Sequence, residues 1–187
     1  MNGLILSGGK SSRFGSDKGL VDYHGLPQRQ YLFQLLSGYC ARVYTSCKAE
    51  QVIPPELNPL PDKLHFDTPL NGLLTAIDID PATPWLTVPV DMPMINENII
   101  QFLMDHRNAT KYATCFVDSD GQQPEPLLAV WEPRGFDALH TFYRKGGMSP
   151  KKFLIEYSCE LLQPPDKSLY FNINTLEDLQ RFRNRRS

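Results

Sequence analysis

Residues 4–18, LILSGGKSSRFGSDK, begin with a short apolar run that passes directly into a glycine-rich polar loop. The apolar run predicts a buried first strand. Two adjacent glycines, Gly8 and Gly9, let the backbone approach a ligand closely and turn its N–H groups inward. Two cations follow: Arg13 carries a planar fork of donors, and Lys18 carries a point charge. This order of strand, glycines and cations predicts a cradle for a triphosphate.

The loop does not match the two most common phosphate-binding motifs. The P-loop pattern GxxxxGK[ST] would need a glycine at position 4, which is Leu4. The dinucleotide pattern GxGxxG would need a glycine at position 10 or 11, where the chain has lysine and serine. A flexible strand-to-helix turn is the alternative interpretation, and the spacing of Arg13, Asp17 and Lys18 favours the cradle.

The rest of the chain alternates short apolar runs with amphipathic segments, which is typical of βαβ units. The sequence predicts strands at 4–6, 43–45, 64–67, 85–90, 113–117, 127–131 and 170–173, and helices at 27–36, 72–79, 96–106, 136–144 and 150–157. Asn96 is expected to cap the helix that runs to about residue 106. Thr175 is expected to open a C-terminal helix, with Asp178 completing an approximate capping box. The proline-rich segment 54–61 is expected to be a loop. A mostly parallel sheet covered on both faces follows from this order.

Composition excludes several functional classes. The chain has 187 residues, a net charge of −2, 41% hydrophobic residues and 21% charged residues, as expected for one globular domain. The charge balance argues against nucleic-acid binding. No apolar run is long enough for a membrane span, and the first residues do not resemble a signal peptide. The four cysteines lack CxxC spacing, so we expect reduced thiols and a cytoplasmic location.

In open α/β sheets, ligands bind outside the carboxyl ends of the strands. The residues that follow the predicted strands are therefore the candidates for chemistry. Asp91 ends the buried strand at 85–90 and is the best candidate for a metal ligand. Mg²⁺ is usually held by one or two carboxylates together with substrate phosphates, so one aspartate suffices. An aspartate that only caps a turn before Pro93 is the alternative interpretation.

The glycine-rich loop resembles L-[AS]-G-G-x-S-x-R-[MF]-G-x-D-K, the signature of the molybdenum cofactor guanylyltransferases. These are the molybdopterin-guanine dinucleotide biosynthesis proteins A, members of the nucleotidyltransferase superfamily with a Rossmann-like fold. Four further blocks resemble the family in order along the chain: DTPLNGL at 67–73, WLTVPVDMP at 85–93, PLLAV at 126–130 and NINTLED at 172–178. The first loop is highly specific, and the later blocks are supportive.

The resemblance implies a three-layer α/β/α Rossmann-like sandwich, with a mostly parallel sheet and an antiparallel strand. It implies a single nucleotidyltransferase domain over 1–187. The implied reaction transfers GMP from GTP to the phosphate of molybdopterin or Mo-molybdopterin, and it releases pyrophosphate. Mg²⁺ is the implied cofactor, and other proteins of molybdenum cofactor biosynthesis are candidate partners.

The resemblance also implies roles for individual residues. Arg13, Lys18 and Asp91 would be catalytic, with Asp91 as the metal ligand. Asn172 and Asn174 would face the pterin substrate. The nucleotide would contact Leu6, Ser7, Gly8, Gly9, Ser11, Arg13, Lys18, Ser46, Asp67, Gly72 and Asp91.

Two positions depart from the family pattern and keep alternatives open. Ser46 stands where the family often has an asparagine that contacts the nucleotide, and Glu125 stands where a histidine is common. Relatives that use CTP usually carry Ala-Ala-Gly at positions 7–9, so Ser-Gly-Gly here favours GTP. A CTP-dependent molybdopterin cytidylyltransferase, another small nucleotidyltransferase and a non-catalytic nucleotide-binding protein remain as alternatives.

Overall fold

The computed structural model describes residues 1–7, 17–64, 66, 68–171, 173, 175 and 177–181. Within these residues, seven strands form one sheet: β1 (Asn2–Leu6), β2 (Arg42–Cys47), β3 (Pro59–Pro61), β4 (Trp85–Pro89), β5 (Ala113–Val117), β6 (Pro124–Trp131) and β7 (Cys159–Leu162). The helices are α1 (Gln28–Ser37), α2 (Pro69–Ile79), α3 (Glu97–Asp105), α4 (Phe136–Arg144) and α5 (Pro150–Glu156), and residues 177–181 are also helical.

The strand order is β3-β2-β1-β4-β6-β5-β7. The pairs β1–β2, β1–β4, β2–β3 and β5–β7 are parallel, whereas β6 runs antiparallel to both β4 and β5. Six of the described strands therefore point the same way, and β6 alone is reversed. The prediction of a mostly parallel sheet with an antiparallel strand is confirmed.

Helices cover both faces of the sheet because successive strand side chains point to opposite sides. In β1, Leu4 and Leu6 belong to the apolar core that includes residues of α2, α4 and α5, whereas Ile5 belongs to the core that includes residues of α1 and α3. The two helical layers are thus held by two separate apolar cores. This arrangement confirms the predicted three-layer α/β/α sandwich.

Polar contacts join β4 to β6 inside the first core. The Trp131 indole Nε1 donates to Thr87 Oγ1 at 3.2 Å, and that hydroxyl donates to the Ala129 carbonyl at 3.2 Å. The antiparallel register pairs Thr87 with Ala129. Because β6 is reversed, its first residues lie beside the carboxyl end of β4.

Two predicted strands are wrong. Leu64 and Phe66, the described residues of the segment 64–67, are not in a strand. Instead β3 lies at Pro59–Pro61, within the segment predicted to be a loop. This strand is at the sheet edge and pairs only with β2, a position where prolines are tolerated because one side needs no donors.

The strand predicted at 170–173 is the second error. Tyr170 ends the 3₁₀ helix Lys167–Tyr170, and neither Phe171 nor Ile173 is in a strand. The edge strand is β7, which sequence reasoning missed because its residues CELL show no clear alternation. The segment that follows it is held by caps rather than by a ladder, since Asp166 accepts from the Ser168 N–H at 2.8 Å.

The predicted caps at Asn96 and Thr175 are confirmed. The Asn96 side chain accepts from the Ile99 N–H at 3.2 Å at the start of α3. Thr175 and Asp178 form a reciprocal capping box: the Thr175 N–H donates to Asp178 Oδ2 at 2.9 Å, and the Asp178 N–H donates to Thr175 Oγ1 at 3.1 Å. No helix in the described part of the chain combines the length and the apolar character needed to cross a bilayer.

The cap of α3 gives a stability prediction. Asn96→Ala should lower the free energy of unfolding by about 1 kcal/mol, because a backbone donor loses its partner. Asn98→Ala, an exposed substitution inside the same helix, should be neutral or slightly stabilising. Urea unfolding of both variants measures the difference, and equal effects would contradict the capping role.

Candidate active site

The carboxyl ends of β1, β2 and β4 meet at one edge of the sheet. Leu6 pairs with Ser46 on β2 and with Pro89 on β4. The Ser7 N–H donates to the Ser46 carbonyl at 3.3 Å, and the Val90 N–H donates to the Leu6 carbonyl at 3.3 Å. This pairing brings together four predicted site residues from three distant parts of the chain: Leu6, Ser7, Ser46 and Asp91.

Lys18 and Asp91 form an ion pair at this edge. Lys18 begins the 3₁₀ turn Lys18–Leu20, and its Nζ lies 3.5 Å from Asp91 Oδ2. The Lys18 side chain is 14% exposed and that of Asp91 is 31% exposed, so a ligand can reach both from the solvent side. An ammonium group, which can pair with phosphate, therefore stands beside a carboxylate, which can bind a hard metal ion.

The donor set fits Mg²⁺ held jointly with a substrate. The described residues hold no cluster of three or more His, Cys, Asp or Glu side chains that could bind a metal without other ligands. Asp91 follows a buried strand and remains partly exposed, which suits one protein carboxylate that shares the ion with phosphate oxygens and water.

A buried residue near the C-terminus fastens its segment to Asp91. The Ile173 N–H donates to the Asp91 carbonyl at 2.9 Å, and the Ile173 side chain packs against Tyr23 and Leu179. Ile173 is the middle residue of the segment predicted to face the pterin, so this segment is attached beside the Lys18–Asp91 pair at that residue. The asparagines themselves, Asn172 and Asn174, lie outside the described residues.

Ser46, Gly72 and Asp62 pack together at the end of β2. Ser46 is 2% exposed, and its hydroxyl donates to Asp62 Oδ1 at 2.8 Å. A Cβ added at Gly72 would lie 2.2 Å from Ser46 Oγ, so only glycine fits at this position of α2. Sequence reasoning missed Asp62, because the strand that it follows was interpreted as a loop.

A cavity of about 400 Å³ opens beside Asp62. Asn71 of α2 fixes one wall of this cavity. The Asn71 side-chain NH₂ donates to the carbonyls of Leu64 and Phe66 at 2.6 and 3.1 Å, and the side-chain oxygen accepts from the Leu64 N–H at 3.0 Å. The cavity therefore has a fixed wall, and it lies at the ends of β2 and β3. It is lined by Lys48, Ala49, Glu50, Asp62, Leu64, Phe66 and Asn71.

A buried arginine joins the two residues that flank the glycine-rich segment. Arg29 of α1 is 1% exposed; its Nε and Nη2 donate to Ser7 Oγ at 3.0 and 2.8 Å, and Nη2 lies 2.7 Å from both Asp17 carboxylate oxygens. Sequence reasoning missed Arg29. The pattern could have revealed it, because Arg29 shares a helical face with Leu32 and Leu36, which are fully buried.

Asp17 is held in its charged form. Burial acts to raise the pKa of this carboxyl, but hydrogen bonds from Arg29 and Gln51 and the charge of Arg29 outweigh it, so the pKa lies below 3.8. The Gln51 Nε2 donates to Asp17 Oδ2 at 2.8 Å, and the Gly19 N–H donates to Oδ1 at 2.9 Å.

Glu125 lies at the start of β6, near Asp91. Burial raises the pKa of Glu125, and the neighbouring charges of Asp91 and Asp118 raise it further. Lys151 acts in the opposite direction, and it also forms a salt bridge to Asp118 at 2.9 Å. The hydrogen bond from Lys151 lowers the pKa of Asp118 to about 2. The second departure from the family pattern therefore places a half-buried acid at the rim of the site.

Residues 3–161 match the family described as "MobA-like NTP transferase domain". The chain belongs to this MobA-like family. A "Molybdenum cofactor biosynthesis bifunctional protein" of Synechocystis is 34% identical over an alignment of 179 residues that covers 94% of this chain and 52% of that protein. The chain thus spans about half the length of that relative.

Two further MobA-like relatives match along nearly their whole length. A "Molybdenum cofactor guanylyltransferase" of Shewanella putrefaciens is 27% identical over 190 residues, covering 97% of this chain and 95% of the relative. The crystal structure of "Molybdopterin-guanine dinucleotide biosynthesis protein A" from Archaeoglobus fulgidus has a TM-score of 0.77 at 20% identity, covering 98% and 97% of the two chains. The structural match supports the Rossmann-like nucleotidyltransferase fold.

The described part of this MobA-like chain contains only some of the predicted site residues. Leu6, Ser7, Lys18 and Asp91 gather at the ends of β1 and β4, while Ser46 and Gly72 pack together beside the cavity. The roles assigned to them stay predictions. The others lie outside the described residues: Gly8, Gly9, Ser11, Arg13, Asp67, Asn172 and Asn174.

The lowered pKa of Asp17 gives a pH prediction. Asp17→Asn should lower the free energy of unfolding at pH 7 by about 1–3 kcal/mol, because charged hydrogen bonds are lost. Because the pKa of Asp17 is lowered in the folded state, its contribution to the free energy of unfolding is fully present above pH 3.8. This contribution is lost as the pH falls through the pKa of the folded state. Urea unfolding at a series of pH values from 7 downward should therefore show the difference between the variant and the parent protein shrinking on the acid side of pH 3.8.

The matched control is Asp105→Asn, which changes an exposed carboxylate on α3. It should alter stability by less than about 0.5 kcal/mol at neutral pH. A constant difference between Asp17→Asn and the parent protein across the whole pH range would contradict the ionised state of Asp17.

Proposed function

We propose that the chain is a nucleotidyltransferase that transfers GMP from GTP to the terminal phosphate of molybdopterin or Mo-molybdopterin, acting as a single domain over 1–187 with Mg²⁺. The observation that carries the proposal is the Lys18–Asp91 pair at the carboxyl ends of β1 and β4, beside the glycine-rich segment. The names of the MobA-like relatives from Synechocystis and Shewanella putrefaciens support the substrates.

The reaction places its main demand on charge and position. A phosphate oxygen of molybdopterin attacks the α-phosphorus of GTP, the bond to the β-phosphate oxygen breaks, and pyrophosphate leaves with the bonding electron pair. Such in-line displacement is catalysed mainly by alignment and by neutralisation of the developing charge. We assign Lys18 to the charge that grows at the α-phosphate and Asp91 to the metal ion. Mg²⁺ supplies charge neutralisation on the phosphates.

The segment that follows β1 supplies the remaining phosphate contacts in this proposal. Gly8 and Gly9 would offer backbone donors, Ser11 a hydroxyl and Arg13 a planar cation to the departing β- and γ-phosphates. Asn172 and Asn174 are assigned to the pterin side. The hydrogen bond from the Ile173 N–H to the Asp91 carbonyl supports this assignment.

The nucleoside is assigned to the cavity beside Ser46, Asp62 and Gly72. Its 400 Å³ volume lies at the ends of β2 and β3, next to the catalytic edge. Guanine carries two adjacent donors, N1–H and the 2-amino group, and one carboxylate can accept from both. Asp62 lines this cavity, and its Oδ1 accepts a hydrogen bond from the Ser46 hydroxyl. We therefore assign the contact with guanine to the Asp62 carboxylate.

The activity test measures pyrophosphate release from GTP with molybdopterin as acceptor. Lys18→Ala should lower kcat by about 10²–10³-fold, as expected when a stabiliser of transition-state charge is removed. Lys145→Ala, an exposed cation after α4, should leave kcat unchanged. In calorimetry, GTP affinity should depend on Mg²⁺ in the parent protein and lose that dependence in Asp91→Asn, but keep it in Asp105→Asn.

The outcomes separate the candidate functions. Nucleotide binding without pyrophosphate release would overturn the enzymatic assignment in favour of a nucleotide-binding protein. Turnover that prefers CTP to GTP would replace GMP transfer by CMP transfer. A Lys18→Ala variant with full kcat would remove the argument from the ion pair.

Asp62 gives a separate prediction on base selectivity. Asp62→Asn should weaken GTP binding by about 10–100-fold, since hydrogen bonds to a charged group are lost. CTP binding should change much less, because cytosine does not present the same pair of donors. Glu50→Gln, at the same cavity, is the matched control and should leave both affinities unchanged. An equal loss of GTP and CTP affinity in Asp62→Asn would contradict the base contact.

A further inference from the structure

We propose that Arg29 is a positioning residue: it fixes both flanks of segment 8–16 so that the phosphate-binding groups stay aligned, without contacting the substrate. This inference rests on the proposed nucleotidyl transfer and extends it. Arg29 lies in the first turn of α1 and is 1% exposed, so its guanidinium faces the protein and not the ligand.

One guanidinium group bridges the two ends of the segment. The Ser7 hydroxyl accepts from both Nε and Nη2, and the Asp17 carboxylate accepts from Nη2 at 2.7 Å. Residues 7 and 17 are the last described residue before the segment and the first after it. The bridge therefore fixes the separation of the two points from which residues 8–16 extend.

The position of Arg29 is costly unless these contacts are made. A cation in the first turn of a helix opposes the helix dipole, which favours negative charge there. A buried arginine also loses its hydration. The Asp17 carboxylate offsets both costs. The Gln51 side-chain amide donates a further hydrogen bond to the same carboxylate at 2.8 Å.

Gly19 shows how the contact extends to the catalytic lysine. A Cβ added at Gly19 would lie 2.5 Å from Arg29 Nη2 and 2.8 Å from Nε, so the guanidinium packs against the Gly19 backbone. The Gly19 N–H also donates to Asp17 Oδ1. Lys18 lies between Asp17 and Gly19 in the chain, and its Nζ lies 3.5 Å from Asp91 Oδ2. Arg29 thus holds the turn from which Lys18 extends.

Arg107 offers a matched control at the opposite edge of the sheet. Its Nε and Nη2 donate to the buried Glu132 carboxylate at 2.6 and 2.8 Å. Glu132 follows the end of β6, and since β6 is reversed, this pair is remote from Asp91. Lysine at either position keeps the charge but cannot reproduce the planar fork of donors.

The test compares Arg29→Lys with Arg107→Lys in the full chain, at a temperature well below both melting midpoints. Calorimetry measures the affinities for GTP and for guanosine, and pyrophosphate release gives kcat. In Arg29→Lys we expect GTP affinity and kcat to fall by about 10–100-fold, because misplaced groups lose alignment. Guanosine affinity should stay within about twofold, since guanosine lacks the phosphates. Arg107→Lys should leave all three unchanged.

Gly19→Ala tests the same contact without changing any charge. The added methyl group must displace the guanidinium, so this variant should reproduce the loss of GTP affinity seen in Arg29→Lys. The double variant should lose no more than either single variant, because both act on one contact. Additive losses would show that Gly19 and Arg29 act separately and would overturn the extension to Lys18.

Each result for Arg29 decides the proposal. Unchanged GTP affinity and kcat in Arg29→Lys would overturn the positioning role. Equal losses for GTP and guanosine would overturn it as well, because they would indicate a general structural role. A parent protein that neither binds GTP nor releases pyrophosphate would instead refute the proposed function, which is a separate outcome from either of these.

Discussion

The hydrogen bonding of β1 to parallel strands on both sides is the constraint on which the rest of the structure depends. This interior strand pairs with β2 and β4 along its whole length, so the three carboxyl ends finish level at one edge. Ser7, Ser46 and Asp91 are neighbours only because of this register. A shift of one residue in either ladder would turn every side chain of the strand to the other core and separate the groups that gather at the edge.

The sequence predicted those features that depend on local patterns. The bounds of α4 and β5, the Asn96 cap and the Thr175–Asp178 capping box follow from residues close together in the chain. The glycine-rich loop indicated the family because its motif is specific. The strands predicted at 64–67 and 170–173 are wrong, and the edge strands lie instead at Pro59–Pro61 and Cys159–Leu162. These edge strands carry prolines or mixed residues, so pairing with a neighbouring strand overrides the intrinsic β-propensity of their residues.

Long-range contacts account for what sequence reasoning missed at the site. Arg29 is 22 residues from Ser7, and Asp62 is 16 residues from Ser46. Neither belongs to a motif, and each acquires its surroundings only after the strands have paired. Arg29 supports Ser7 and Asp17, which the motif identifies, whereas Asp62 supports Ser46, which lies outside the quoted motifs. The family pattern thus indicated Ser7 and Asp17, whereas the structure adds Arg29, which holds both of them in place.

The reversed direction of β6 has a consequence for how this active site can change. A parallel strand contributes to the active-site edge the residues that follow it, whereas a reversed strand contributes the residues that precede it. The turn at 118–123 therefore lies on the rim near Asp91, and the residues after Trp131 lie at the opposite edge of the sheet. Insertions or exchanges in that turn can reshape the entrance without disturbing the ladders. Variation in substrate choice among chains with this architecture is therefore to be sought in the β5–β6 connection, a surface turn with Gly121 in a left-handed conformation at its tip.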